Sequence, residues 1–149
     1  MIARDCIDVL SEVAEGLGYL TPVEPIAMPR PEEIEMVIAM TYHELSASTV
    51  EQRTGVVYVG FGLGLPRTLA VNMLGCPTRS GISDEVAREA ALEMVNVLTG
   101  NLLPVVYGSN CEFRLSSPRA AAGLVNSGFQ VAALATEEGV IAIVIQEAR

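Results

Sequence analysis

Apolar positions recur along this chain with two different periods, and the switches between them divide it into elements. Over residues 5–19, Cys6, Val9, Leu10, Val13 and Leu17 follow one another at spacings of three and four. This predicts an amphipathic helix, ended by Gly16 or Gly18. Residues 20–28 hold Pro22 and Pro25 and predict a short extended piece at most, and Pro29-Arg30-Pro31 is a stiff bend. The apolar run 34–42 and the segment 54–61 (TGVVYVGF) are rich in β-branched and aromatic residues and read as strands. The polar stretch 43–53 between them reads as a loop or a frayed strand pair. Gly62-Leu63-Gly64 is a turn, and residues 65–74 form a short helix with Pro66 in its first turn and Gly75 as its stop.

After a loop over 76–81, Ser83 is the N-cap of a long helix whose first turn holds Asp84 and Glu85, where the helix dipole favours acids. The helix is expected to run to about Thr99, with Gly100-Asn101 as its C-cap and Pro104 barring continuation. Three strand-like runs, 111–115, 129–135 and 140–146, finish the chain, and Glu137-Glu138-Gly139 joins the last two as a tight hairpin. That link is too short for a parallel crossover. The expected architecture is one α+β domain over 1–149, a mostly antiparallel sheet of about six strands packed with about three helices.

Composition narrows the partners. Half of the residues are apolar and 18% are charged, which is enough for a real core and argues against disorder. With 18 acidic against 9 basic residues the formal net charge is -9, so nucleic acid and anionic membrane are poor partners. Cys6, Cys76 and Cys111 are odd in number and widely spaced, unlike a disulfide framework or a zinc site. Cys6 and Cys111 look like small core fillers, and reduced thiols fit a cytosolic protein. Met1-Ile2-Ala3-Arg4-Asp5 lacks the basic-then-apolar pattern of an export signal, and no apolar run approaches a membrane span. The expectation is a cytoplasmic protein.

Candidate chemistry sits on the long helix. At about 100° per residue, Val86, Ala87, Ala90, Ala91, Met94, Val97 and Leu98 share one apolar arc, with Val95 at its edge. Glu85, Glu89, Glu93 and Asn96 gather on the other side within roughly 80°. Glu93 and Asn96, three apart, are therefore surface neighbours. An acidic helix face is usually just wet, and Glu-x-x-Asn recurs by chance. Two details set this one apart. Asn96 is a weak helix former with no capping role at mid-helix, and Leu92 projects near the polar stripe like part of a protein-contact patch.

The segment EMVNVLTGN, residues 93–101, resembles the signature of the CheC/CheX/FliY phosphatase family: Glu, two residues, Asn, two apolar residues, one residue, Gly, and often Asn. The strand 54–61, the helix PRTLAVNMLG over 66–75, the acidic opening Asp84-Glu85-Val86 and the segment FRLSSP over 113–118 fall in the family's order. The resemblance spans nearly the whole chain and is weakest over 20–53. It implies dephosphorylation of a phospho-aspartyl response regulator of CheY type. Glu93 would anchor the regulator through a lysine at its phosphorylation site, and Asn96 would orient the attacking water. The regulator would bring its own Mg2+. Glu85, Glu89 and Leu92, on the same helix, are the further partner-contact candidates.

The motif occurs once. Aligning Gly16 with Gly100 puts Val9 and Glu12 where a second Glu and Asn would stand, so the chain is similar to the single-motif CheX branch. Such proteins form homodimers through a sheet continued across the interface, for which strands 34–40 and 140–145 are candidates. The residue before the motif Glu is often small in the family. Here it is Leu92, which would pack on the regulator or obstruct it. The rival reading is a non-catalytic CheX-like module for regulator binding or dimerisation. His43, the sole histidine, lacks a constellation for catalysis or metal binding. Gly60-Phe61-Gly62-Leu63-Gly64 lacks the Gly-Lys-Ser/Thr ending of a phosphate loop, and Ser116, Ser117 and Ser127 lack a nucleophile elbow. Met28, Met36, Met40, Met73 and Met94 read as core packing.

Overall fold

Strand and helix apolar faces meet in a single layer of contact. In the computed structural model, which describes residues 2–45, 52–124 and 130–148, the element order is helix, three strands, two helices, four strands. The elements are α1 (Ile2–Gly16), β1 (Pro22–Pro25), β2 (Ile34–Glu44), β3 (Thr54–Gly62), α2 (Leu65–Leu74), α3 (Asp84–Tyr107), β4 (Phe113–Leu115), β5 (Arg119–Ala121), β6 (Gln130–Thr136) and β7 (Val140–Glu147). A 3-10 turn, Pro31–Glu33, follows the predicted proline bend and is tied by Arg30 N donating to Glu33 Oε1 at 2.8 Å.

All sheet pairings are antiparallel, in the order β1-β6-β7-β3-β2-β4, with β5 also on β2. The period of two assigns the faces. Ile38, Met40 and Tyr42 of β2, Val57, Val59 and Phe61 of β3, and Ile141, Ile143 and Ile145 of β7 all join one cluster with Cys6, Leu10, Leu69, Met94 and Leu98 from the helices. The predicted hairpin is present: Thr136 N and Gly139 N each donate to the other residue's carbonyl, at 2.9 and 3.3 Å.

Several expectations need correction. The first helix begins at Ile2, ahead of the predicted start, and stops at Gly16 as expected. Among the described residues the sheet has seven strands, close to the expected six, the additional one being β5, which follows β4 along β2. The stretch 43–53, read as a loop or a frayed strand pair, begins as a pair, with His43 facing Thr54 and Glu44 N donating to Arg53 O at 2.8 Å; residues 46–51 lie outside the described residues, as do Ser127 and Phe129. Gly60 and Gly62 belong to β3, leaving Leu63-Gly64 as the turn. Cys6 is buried, whereas Cys111 is half-buried, its thiol donating to Tyr107 O at 3.3 Å. Met40 and Met94 are buried and Met36 and Met73 pack against the core, as read; Met28 is half-buried outside that cluster.

The long helix does not stop at Thr99. It continues through Gly100, Asn101 and Pro104 to Tyr107, with Gly108 as its cap. The reason is burial: Leu102 and Leu103 continue the core stripe at 0% and 2% exposure, and covering them outweighs the missing Pro104 donor. The carbonyl that Pro104 leaves without a helical donor belongs to Gly100, an exposed residue. Asn101 does not cap the helix; its Nδ2 donates to Val97 O at 2.8 Å. By length and composition α3 could cross a membrane, but here its apolar side packs on α1, α2, β2 and β3.

The strands suggested for sheet continuation are also wrong. β2 lies between β3 and β4–β5, and β7 between β3 and β6, so neither offers a free edge. The outer strands are β1 on one side and β4–β5 on the other.

Candidate functional site

The site grows from the start of α3. Ser83 Oγ accepts from Val86 N at 3.1 Å, so the predicted N-cap is in place and fixes the helix phase. Arg67 of α2 holds the same end, donating to Ile82 O at 3.3 Å and to the Asp84 carboxylate. The apolar arc then faces inward: Ala87, Ala90, Ala91, Met94 and Leu98 are buried, and Val95, placed at the edge of the arc, is fully buried with them. Val86 and Val97 are half-buried.

The opposite face is open, as predicted. Glu85, Glu89, Glu93 and Asn96 are all exposed. No cation among the described residues lies within ion-pairing distance of Glu89 or Glu93. The Asn96 amide makes no hydrogen bond to the described residues, so both its donors and its acceptor are available. Leu92 differs from the expectation of a projecting side chain. It is half-buried and packs against the core cluster.

A second wall, absent from the sequence reading, completes the site. β4 pairs with β2 through Tyr42↔Leu115, and β5 pairs with it through Ala39↔Arg119. Two β2 positions, Met40 and Thr41, thus face three residues, Ser116, Ser117 and Pro118, which makes a β-bulge. The bulge is pinned twice to Thr41. Ser116 N donates to Thr41 O at 3.0 Å, and Thr41 N donates to Ser116 Oγ at 3.0 Å. Pro118, lacking an N–H, costs the ladder nothing where pairing is already broken. Between bulge and helix runs a cleft of about 460 Å3, lined by Glu89, Leu92, Glu93 and Asn96 on one side and by Leu115, Ser116, Ser117 and Pro118 on the other.

Of the five site residues read from sequence, four share this cleft; Glu85 lies on the same helix but outside the lining. Ser116 and Ser117 fall in the segment FRLSSP of the sequence reading, but no local signal marks them as a wall, because the pairing of 113–121 with β2 creates it. His43 is exposed on β2 opposite Thr54 and Arg114, away from the cleft. Gly64 N, in the glycine-rich turn, donates to Glu35 Oε1 at 2.8 Å, a carboxylate partner that suits a turn. The position matching the motif on α1 carries half-buried Val9 and exposed Glu12. Among the described residues no group of three or more His, Cys, Asp or Glu is placed to hold a metal. A larger and mostly apolar cavity, about 510 Å3, lies by Met28, Met36 and Leu124 and takes in none of the five.

No family model matches the sequence, and no curated protein matches it. Solved structures do match the fold. Chemotaxis protein CheX from Vibrio vulnificus superposes with a TM-score of 0.67 at 20% identity, covering 99% of this chain and 96% of its own. The chain has the CheC-like fold. A CheC-like superfamily protein from Shewanella sp. PV-4 gives 0.64 at 16% identity, with 99% and 97% covered. CheX of Borrelia burgdorferi, solved as a CheX-CheY-BeF3-Mg2+ complex, gives 0.64 at 12% identity, covering 100% and 99%. Within the CheC-like fold of this chain, Glu93 and Asn96 occupy an open helix face beside a cleft, with neither side chain engaged by another described residue.

Proposed function

We propose that this chain accelerates hydrolysis of the phospho-aspartate of a CheY-type response regulator in chemotaxis signalling. The observation that carries the reading is the pairing of Glu93 with an unengaged Asn96 on the exposed face of α3, at the mouth of one cleft. The CheC-like fold and the regulator-bound form of one of its neighbours support the choice of partner.

An acyl phosphate needs little covalent help. Catalysis is positioning and charge stabilisation, and no nucleophile from this chain is required. Glu93, an exposed carboxylate without a cation partner among the described residues, anchors a lysine beside the regulator's phosphorylation site. Asn96 enters the regulator and holds a water in line with phosphorus. Its amide can accept from the water and donate to a neighbouring oxygen without repelling the phosphoryl group. The water oxygen bonds to phosphorus as the bond from phosphorus to the aspartyl oxygen breaks. The aspartate carboxylate leaves, and both water protons stay with the phosphate. Mg2+ comes with the regulator and offsets charge on the phosphoryl oxygens. Glu89 and Leu92 contact the partner along the same cleft, and Glu85 adds charge at its approach. Leu92, packed against the core cluster, leaves Glu93 and Asn96 exposed beside it for the partner. A homodimer belongs to the proposal, with contact through one of the two outer sheet edges.

The test is phosphate release from the phosphorylated cognate regulator with Mg2+. The expected result is faster release with wild type, a raised KM with Glu93→Ala, and no acceleration with Asn96→Ala. Full activity of the double variant would sink the assignment.

A further inference from the structure

The bulge opposite the motif has a chemistry of its own. Its three residues stand opposite Met40 and Thr41 of β2, and the two bonds of Ser116 to Thr41 fix it there. Leu115 packs on the core below it. Ser117 is left exposed at the cleft, its hydroxyl without a hydrogen bond to the described residues. Bulges of this kind re-aim a side chain and recur next to functional sites.

We infer that Ser117, held by this pinned bulge, is a partner-contacting specificity residue, so that the regulator enters between two walls rather than docking on the α3 face alone. The inference rests on the proposed phosphatase reading and names what that reading lacks, the surface facing Asn96. The two walls differ in kind. The helix side presents the unpaired carboxylates of Glu89 and Glu93, whereas the bulge side presents small neutral groups. A partner segment that fits must carry a cation on one side and backbone or small side chains on the other. The hydroxyl of Ser117 can donate to a carbonyl of that segment. Its small size also sets how wide the segment can be, and a bulky residue there rejects the partner by collision rather than by lost attraction. Ser116 has a different role: its side chain holds the bulge and does not reach for the partner.

The experiment measures binding of the full chain to the cognate regulator activated with beryllofluoride and Mg2+, so that hydrolysis plays no part. Ser117→Trp is expected to weaken binding about 10-fold or more. Ser117→Ala should stay within about threefold of wild type, and Ser80→Trp, on an exposed loop outside the cleft, should bind as wild type does. Thermal unfolding midpoints of all three should match wild type, and in phosphate release Ser117→Trp should raise KM while leaving kcat nearly unchanged. Wild-type affinity and KM for a folded Ser117→Trp would overturn the second wall while leaving the phosphatase reading intact. Failure of wild type itself to bind the activated regulator would instead remove the phosphatase reading, and this inference with it.

Discussion

Asn96 and Glu44 are two polar residues with opposite fates, and each predicts something. Asn96 is exposed and makes no hydrogen bond to the described residues, a costly choice for mid-helix that local stability does not explain. Asn96→Asp keeps its shape but adds a charge that opposes the phosphoryl oxygens. It should lower the saturating rate of phosphate release by about 100-fold or more while leaving the unfolding temperature near wild type. Glu44 is 1% exposed at the end of β2, accepting from Arg53 N at 3.0 Å, with the Arg53 guanidinium at 3.4 Å. The backbone bond from Arg53 holds its carboxyl below the usual glutamate range, with Cys111 and the guanidinium adding to the effect against the opposing push of burial. The native state therefore releases this proton more readily than the unfolded chain. The stability it brings is complete above about pH 4.5 and is lost as pH falls through the lower native value. Glu44→Gln should lower stability at neutral pH and flatten its decline in acid, as chemical denaturation across pH would show.

At the scale of elements, α3 holds the main lesson. Its N-cap, acidic first turn and two faces were legible, because each follows from spacing within a few residues. Its last two turns were not. Gly100, Asn101 and Pro104 are local stop signals, and the burial of Leu102 and Leu103 that overrides them is a property of the packed molecule. Gly100 is exposed inside a helix, with nothing within 4 Å of an added Cβ. Gly100→Ala should therefore stabilise the protein by about 0.5–1 kcal/mol, read as a rise of a few degrees in the unfolding midpoint. The strands β2, β3, β6 and β7 were visible as apolar runs, whereas the three-residue β5 was not, since it is a strand only by pairing with β2. The cleft wall of residues 115–118 was missed for the same reason. Half of the candidate site was written in one helix, and the other half in a strand pairing across more than 70 positions.

Across the described residues, seven antiparallel strands bury one face under three α-helices, and α3 carries the motif to the surface. The net charge of -9 is met at the site by Glu85, Glu89 and Glu93, with no cation of the described residues paired to Glu89 or Glu93. Attraction of a basic partner surface then speeds encounter and is screened by salt. Raising ionic strength from about 0.05 to about 0.5 M should slow association with the regulator by about 10-fold, and Glu89→Gln should weaken that dependence without changing the saturating rate. Stopped-flow association across a salt series would measure both effects.

In the proposed mechanism Asn96 orients the attacking water. This role is tested most directly by single-turnover decay of the phosphorylated regulator, with Mg2+ and saturating amounts of either wild type or Asn96→Ala, binding having been verified for both. Rapid decay is expected with wild type, and decay at the regulator's own unassisted rate with Asn96→Ala bound. Decay equally fast with both proteins would rule out that role for Asn96.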